Sequence, residues 1–255
     1  MKKIIYVLDI NYDKRIKEIT MPSIKAWAKR IGASIKIINK RKYPEYPITY
    51  EKFQMYDMAL KEKADWHIFV DADVLINNNF PDVVEYVPKQ NVLVTKGGYG
   101  GHRFKYDDCF RRYGQHLDVG TWFFAMSDWC LDAFKPPHLQ GIDVKKALTN
   151  FLPTIFEKNA LAKIPHDHFL DDYMFGRNIA KYGLRISYLA EFLPDALNSI
   201  WHTCFDTNEV KYHYLKAKLD EDNNRVWTVL NDEHLGPRIR QAVEQEKIEA
   251  GKNSH

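Results

Sequence analysis

The chain has 255 residues, with 37 Lys and Arg against 34 Asp and Glu, and a net charge of +3 with histidines neutral. With 45% hydrophobic and 14% aromatic residues it can bury a sizeable core, which excludes disordered and fibrous classes. The longest stretches free of Asp, Glu, Lys and Arg are 147–156 and 196–205, far short of the roughly 20 apolar residues of a spanning helix, so no membrane span is expected.

Asp9 cuts the first apolar run too short for a signal peptide, and Cys109, Cys130 and Cys204 are scattered without CxxC spacing. Both features predict a cytoplasmic protein. The near-balanced charge does not mark a dedicated nucleic-acid binder.

In chain order, Lys3–Leu8 reads as a buried strand with polar residues at its carboxyl end. Thr20 as N-cap and Pro22 in the first turn predict a helix, whose face carries Ile24, Trp27, Ala28 and Ile31 and which stops at Gly32. Ser34–Ile38 alternates as a second strand, and the short crossover forces a parallel pair. Helix returns over Tyr50–Lys63, with Phe53, Tyr56, Asp57 and Leu60 at three- and four-residue spacings. Trp66–Val70 is near-continuously apolar and reads as a central strand ending at Asp71-Ala72-Asp73.

Val92–Thr95 and Gly120–Met126 are further strands, separated by a loop with four glycines at Lys96–Gly101. A helix over about His168–Tyr182 and a strand at Ile186–Leu189 follow. From Asp206 the chain turns polar and basic, and Pro237–Ala250 reads as a solvated helix. Strands alternating with helices predict one α/β domain over 1–235, with a helical tail at 236–255.

Two Asp-x-Asp pairs occur, 71/73 and 220/222, about as many as composition alone supplies, so context must separate them. Asp220-Glu-Asp222 lies in the charged run LDEDNNR and reads as a solvated loop. Asp71 and Asp73 lie at the carboxyl end of an apolar strand, the edge where open α/β sheets bind ligands. Carboxylates held close among apolar neighbours need a compensating cation or donors. Oxygen ligands suit Mn²⁺ or Mg²⁺ shared with substrate phosphates; the alternative is a helix cap with a salt bridge.

The stretch YEKFQMYDMALKEKADWHIFVDADVLINN resembles the central signature of GT-A fold glycosyltransferases, and PSIKAWAKRIGASIKII is similar to the nucleotide-binding half of that fold. The resemblance implies a GT-A (Rossmann-like) single domain, with a central, mostly parallel mixed sheet flanked by helices. It implies that Asp73 ligates metal, and that Asp71 contacts metal or the donor ribose. Asp9 would lie near base and ribose, with Tyr12 beside it. Lys52 either reaches the site or is an ordinary exposed lysine.

On the helix beginning near Asp171-Asp172, Phe175, Ile179 and Tyr182 form a docking stripe, and the two carboxylates stand at the positive dipole end. They either cap the helix or resemble the acidic pair of inverting GT-A enzymes. The resemblance makes Asp172 the general base on the acceptor hydroxyl, supported by Asp171. The stretch departs from that motif in having Asp where Glu is commoner and in placing Arg177 one position early.

His202 is either a third metal ligand, by the same resemblance, or a hydrogen-bonded core histidine. Asp118-Val-Gly120-Thr-Trp122 resembles the segment cradling donor sugar and acceptor, or is a buried strand with a bulge. Arg103, after the glycine-rich loop, pairs with diphosphate if that loop is a lid; otherwise the loop is a surface turn. His166-Asp167-His168 reads as a loop ahead of the helix.

The expected activity is sugar transfer from a nucleotide-sugar, UDP-linked by family analogy, using Mn²⁺ or Mg²⁺ and Asp172 for inversion. A retaining mechanism is the alternative. Other classes are a nucleotidyltransferase, which would need a glycine-rich phosphate loop that Asp9–Asp13 does not provide, or a nucleotide- or carbohydrate-binding module. The acceptor is open among glycan, protein, lipid-linked sugar and a modified DNA base.

Overall fold

The computed structural model describes residues 1–96, 113–114, 117–143, 170–203 and 207–224. Backbone packing divides the chain into two units, each built from three separate segments. One comprises Met1–Ile10, Ala28–Asp71 and Pro81–Asn198; the other comprises Asn11–Trp27, Ala72–Phe80 and Ser199–His255.

The first unit holds a mixed six-stranded sheet. Its strands are β1 (Lys3–Leu8), β2 (Ala33–Ile38), β3 (Trp66–Asp71), β5 (Asn91–Thr95), β6 (Gly120–Ser127) and β7 (Arg185–Tyr188); the short strand β4 (Leu75–Ile76) belongs to the second unit. Their order is β2-β1-β3-β6-β5-β7. β1 runs parallel to β2 and β3, and β5 parallel to β7, while β6 runs antiparallel to both β3 and β5. Every residue of β1 and β3 is buried, as their near-continuous apolar runs predict for strands covered on both faces.

Helix α2 (Gln54–Glu62) and helix α3 (Leu170–Lys181) share one core with the sheet. Phe124 of β6 stacks with Phe69 of β3 at 5.2 Å and meets Phe175 of α3 at 4.6 Å between ring centres. Gly176 lets α3 approach closely, because a Cβ there would stand 3.1 Å from the Val119 side chain.

Two expectations change in this unit. Ile48–Phe53 is a 3₁₀ turn rather than the start of one long helix, so Lys52 lies ahead of α2. Leu60 is exposed, because Met55 and Ala59 join Phe53 and Tyr56 on the buried side instead.

In the second unit, β4 (Leu75–Ile76) pairs antiparallel with β8 (Ile200–Trp201). Helix α1 runs over Lys14–Arg30, so Thr20 and Pro22 are interior to it and neither starts it. Asp13 caps it instead, accepting the Arg15 backbone N–H at 2.8 Å. Thr20 Oγ1 lies 3.1 Å from the Ile16 carbonyl oxygen and 2.5 Å from that of Ala72, so the hydroxyl serves the chain behind it and the incoming Ala72 rather than a helix end. Pro22 has no N–H to donate back along the helix.

Residues 208–224 form helix α4 (Asn208–Asn224), where an irregular polar stretch was expected. Asp220 therefore sits on a helix, 3.4 Å from Lys216 one turn earlier, not in a loop. Ile16 of α1, Leu75 of β4 and Leu215 of α4 make this unit's buried centre. Among the described residues no helix is long and apolar enough to cross a membrane. The expected tail at 236–255 and the helix at Pro237–Ala250 lie outside the described residues.

Candidate active site

Lys52 is the centre of a buried polar cluster in the first unit. Its Nζ donates to Asp71 Oδ2 at 2.9 Å, stands 3.1 Å from Asp171 Oδ2 and lies 3.2 Å from Thr121 Oγ1. The lysine and both carboxylates are almost wholly buried, so Lys52 is not an ordinary exposed lysine. Burial alone would push the ammonium down. Asp71, Asp171 and Asp172 outweigh that and hold it above the usual ammonium range.

Three elements converge to make the cluster. Asp71 is the last residue of β3, Asp171 stands in the first turn of α3, and Thr121 is the second residue of β6. The pairing of β5 with β6 slips here, from Val94 opposite Phe124 to Thr95 opposite Gly120. Such a bulge re-aims the side chains beside it. Thr121 accordingly meets the acidic pair. Its backbone N–H donates to Asp172 Oδ1 at 2.9 Å, and its hydroxyl lies 2.7 Å from Asp172 Oδ1 and 2.6 Å from Asp171 Oδ2. One hydroxyl proton serves one of those oxygens at a time. The acidic pair thus faces a threonine and a lysine on other elements as well as the helix dipole.

Asp73 belongs to the second unit, two residues beyond Asp71 along the chain, and is 2% exposed. Lys211 of α4 donates to its Oδ2, and His202 Nε2 stands 3.4 Å from its Oδ1. That separation is long for a hydrogen bond. Burial alone would raise this carboxyl's pKa, but His202 and Lys211 outweigh it and hold the group below the usual carboxylate range. His202 is therefore a neighbour of Asp73, and both readings of it, metal ligand and hydrogen-bonded core histidine, are compatible with that place. A carboxylate oxygen facing an imidazole nitrogen is a donor set that Mn²⁺ accepts. The cationic partners at the Asp-x-Asp pair are nevertheless lysines: Lys52 on Asp71 and Lys211 on Asp73.

The other expected site residues are distributed as follows. Asp9 follows β1 directly, and its N–H donates to the Ile38 carbonyl at 2.9 Å. Tyr12 is half-buried just ahead of α1, after Asn11 with its positive φ of 60°. Asp118 precedes β6, and its backbone N–H faces the Tyr188 hydroxyl at 3.3 Å. Gly120 is buried at the bulge, so its strand carries the irregularity that one reading of DVGTW anticipated. Arg103, most of the glycine-rich loop, His166-Asp167-His168, Cys109 and Cys204 lie outside the described residues.

Thr121 and Lys211 were missed as site residues. A β-branched residue in a strand reads as ordinary sheet, and only the bulge gives Thr121 its direction. Lys211 was legible only as one of several basic residues in a polar stretch.

No protein-family model and no curated protein matches the sequence. Among solved structures, the chain is similar to a glycosyltransferase involved in the glycosylation of the major capsid of PBCV-1. Identity is 12%, the TM-score is 0.49, and the alignment covers 84% of this chain and 98% of that one. It is also similar to A197 from STIV, with 14% identity, a TM-score of 0.38, and coverage of 75% and 83% respectively. These are likenesses of backbone, and the site chemistry is argued from this chain's own residues.

Proposed function

We propose that this chain is a glycosyltransferase, moving a sugar from a nucleotide-diphosphate sugar, UDP-linked in the first instance, to an acceptor hydroxyl. One observation carries the reading: Asp71 closes the buried central strand β3 and Asp73 follows it, both buried and both charge-compensated. Carboxyl ends of strands are where open α/β sheets take ligands, and burying two carboxylates there is costly unless cations compensate them.

Asp71, Asp73 and His202 would hold Mn²⁺ or Mg²⁺, which supplies Lewis-acid stabilisation of the departing nucleoside diphosphate. Lys52 bridges Asp71 and Asp171 and fixes their direction. The Thr121 backbone N–H donates to Asp172 Oδ1, and the hydroxyl does so when it is not turned to Asp171, which orients the carboxylate. Asp172 then removes the acceptor hydroxyl's proton as that oxygen attacks from the side opposite the leaving group, giving inversion. Oxocarbenium character at the anomeric carbon accompanies that attack, as in glycoside hydrolysis. Asp9 and Tyr12 would lie by the nucleoside, Asp118 and Gly120 by the sugar, and Arg103 by the diphosphate. A retaining course is the alternative if the acceptor binds on the leaving-group side.

The test is incubation with Mn²⁺ and a panel of UDP- and GDP-sugars, with the released products identified. Slow, metal-dependent release of nucleoside diphosphate is the expected result. Pyrophosphate release would instead mark a nucleotidyltransferase, and saturable binding without turnover a binding module.

A further inference from the structure

We infer that Lys211 is an internal counter-ion that a divalent cation must displace, so that metal entry is an exchange of an ammonium for a dication at Asp73. The inference rests on the metal reading above and adds a residue which that reading does not use.

A carboxylate as buried as Asp73 needs a compensating charge. Lys211 supplies it on Oδ2, while His202 stands at Oδ1. The two lysines on the acidic pair are held very differently. Lys52 is shared among Asp71, Asp171 and Thr121 and also lies over the Phe69 ring, so it is caged. Lys211 makes its ion pair with Asp73 alone among the described residues, and its side chain is 16% exposed.

Helix α4 does not depend on that contact for its position. Glu209 pairs with Arg15 at 2.9 Å, Arg15 lies over the Tyr212 ring, and Leu215 is fully buried. The Lys211 ammonium can therefore withdraw on its flexible four-carbon stem while the helix stays. An ammonium on Oδ2 and a dication ligated by the same carboxylate repel each other in a site of low polarity, so the two occupants compete.

The experiment titrates MnCl₂, without donor, into the full chain and into Lys211→Met, Lys211→Gln and Lys211→Arg, reading free Mn²⁺ by electron paramagnetic resonance. The Met and Gln variants are expected to bind Mn²⁺ about tenfold more tightly than the unmodified chain. Lys211→Arg, whose guanidinium grips a carboxylate with two bonds, is expected to bind it more weakly. The metal-free Met variant should melt lower than the unmodified chain and gain more Tm on adding Mn²⁺. A purely structural lysine would lower Tm without tightening Mn²⁺ binding.

Equal or weaker Mn²⁺ affinity in both neutral variants overturns the exchange, as does the absence of Mn²⁺ binding in all four proteins. If the unmodified chain releases nucleoside diphosphate with Mn²⁺ while the neutral variants bind it no more tightly, the exchange fails and the transferase reading stands. Absence of both release and binding sinks the two together.

Discussion

Removing the Lys52 ammonium leaves Asp71 and Asp171 buried without their shared cation. Breaking a buried ion pair by deleting one partner costs about 3–5 kcal/mol, because the surviving charge stays desolvated. Lys52→Met keeps the stem and removes the charge, so urea unfolding should show a loss in that range with an unchanged slope. A loss below about 1 kcal/mol would mean that the cluster is wetter than its burial indicates. At this scale the sequence was half legible. Asp71, Asp73, Asp171 and Asp172 were legible by their positions at a strand end and a helix start, although capping accounts for such carboxylates equally well. Lys52 was open between two readings because its burial depends on a 3₁₀ turn that no periodicity signals. Thr121 was silent because its direction comes from a bulge.

The 3₁₀ turn that carries Lys52 is itself anchored by its neighbour. Glu51 is fully buried and accepts from Arg41 Nε at 2.7 Å, from the backbone N–H groups of Lys42 and Tyr43 at 2.9 Å each, and from Gln54 Nε2 at 2.6 Å. Glu51→Ala would leave two backbone donors and the Arg41 Nε without their acceptor, while Arg41 Nη2 keeps the Tyr43 and Tyr46 carbonyls, at about 1–3 kcal/mol for the unsatisfied groups. Hydrogen exchange should then accelerate at the Lys42 and Tyr43 amides before any change in β1 or β3; unchanged protection there would show that the turn stands without its clamp. Elements differed in how well they could be read. The six strands of the large sheet were legible to within a residue or two from their apolar runs, whereas the two-residue strands β4 and β8 were not read at all. Helix α1 was misplaced at its start because Thr20-Met-Pro22 carries the right residues for an N-terminus, while the actual cap, Asp13, precedes a stretch rich in charge. Helix α4 was missed because one of its buried positions is Lys218, whose ammonium lies over Trp201 and Tyr214 where a periodicity argument seeks an apolar residue.

For the whole molecule, the α/β class followed from the alternation of strands and helices, the mixed sheet only from the family resemblance, and β3 takes the inner position its apolar run predicts. The division into two units was invisible, since each is assembled from three separate segments and no linker marks the boundary. Along the chain, Asp71 ends a segment of one unit and Ala72 opens a segment of the other. The central claim is that the acidic pair Asp71 and Asp73 serves a divalent cation and a nucleotide-sugar. Its most direct test is Mn²⁺-dependent release of nucleoside diphosphate from the best donor of the panel, compared between the unmodified chain and Asp73→Asn with an unchanged circular dichroism spectrum. The account predicts at least about a hundredfold loss of turnover in the variant, the scale of several kcal/mol of metal stabilisation. Turnover in Asp73→Asn equal to that of the unmodified chain, at the same Mn²⁺ concentration, would contradict it.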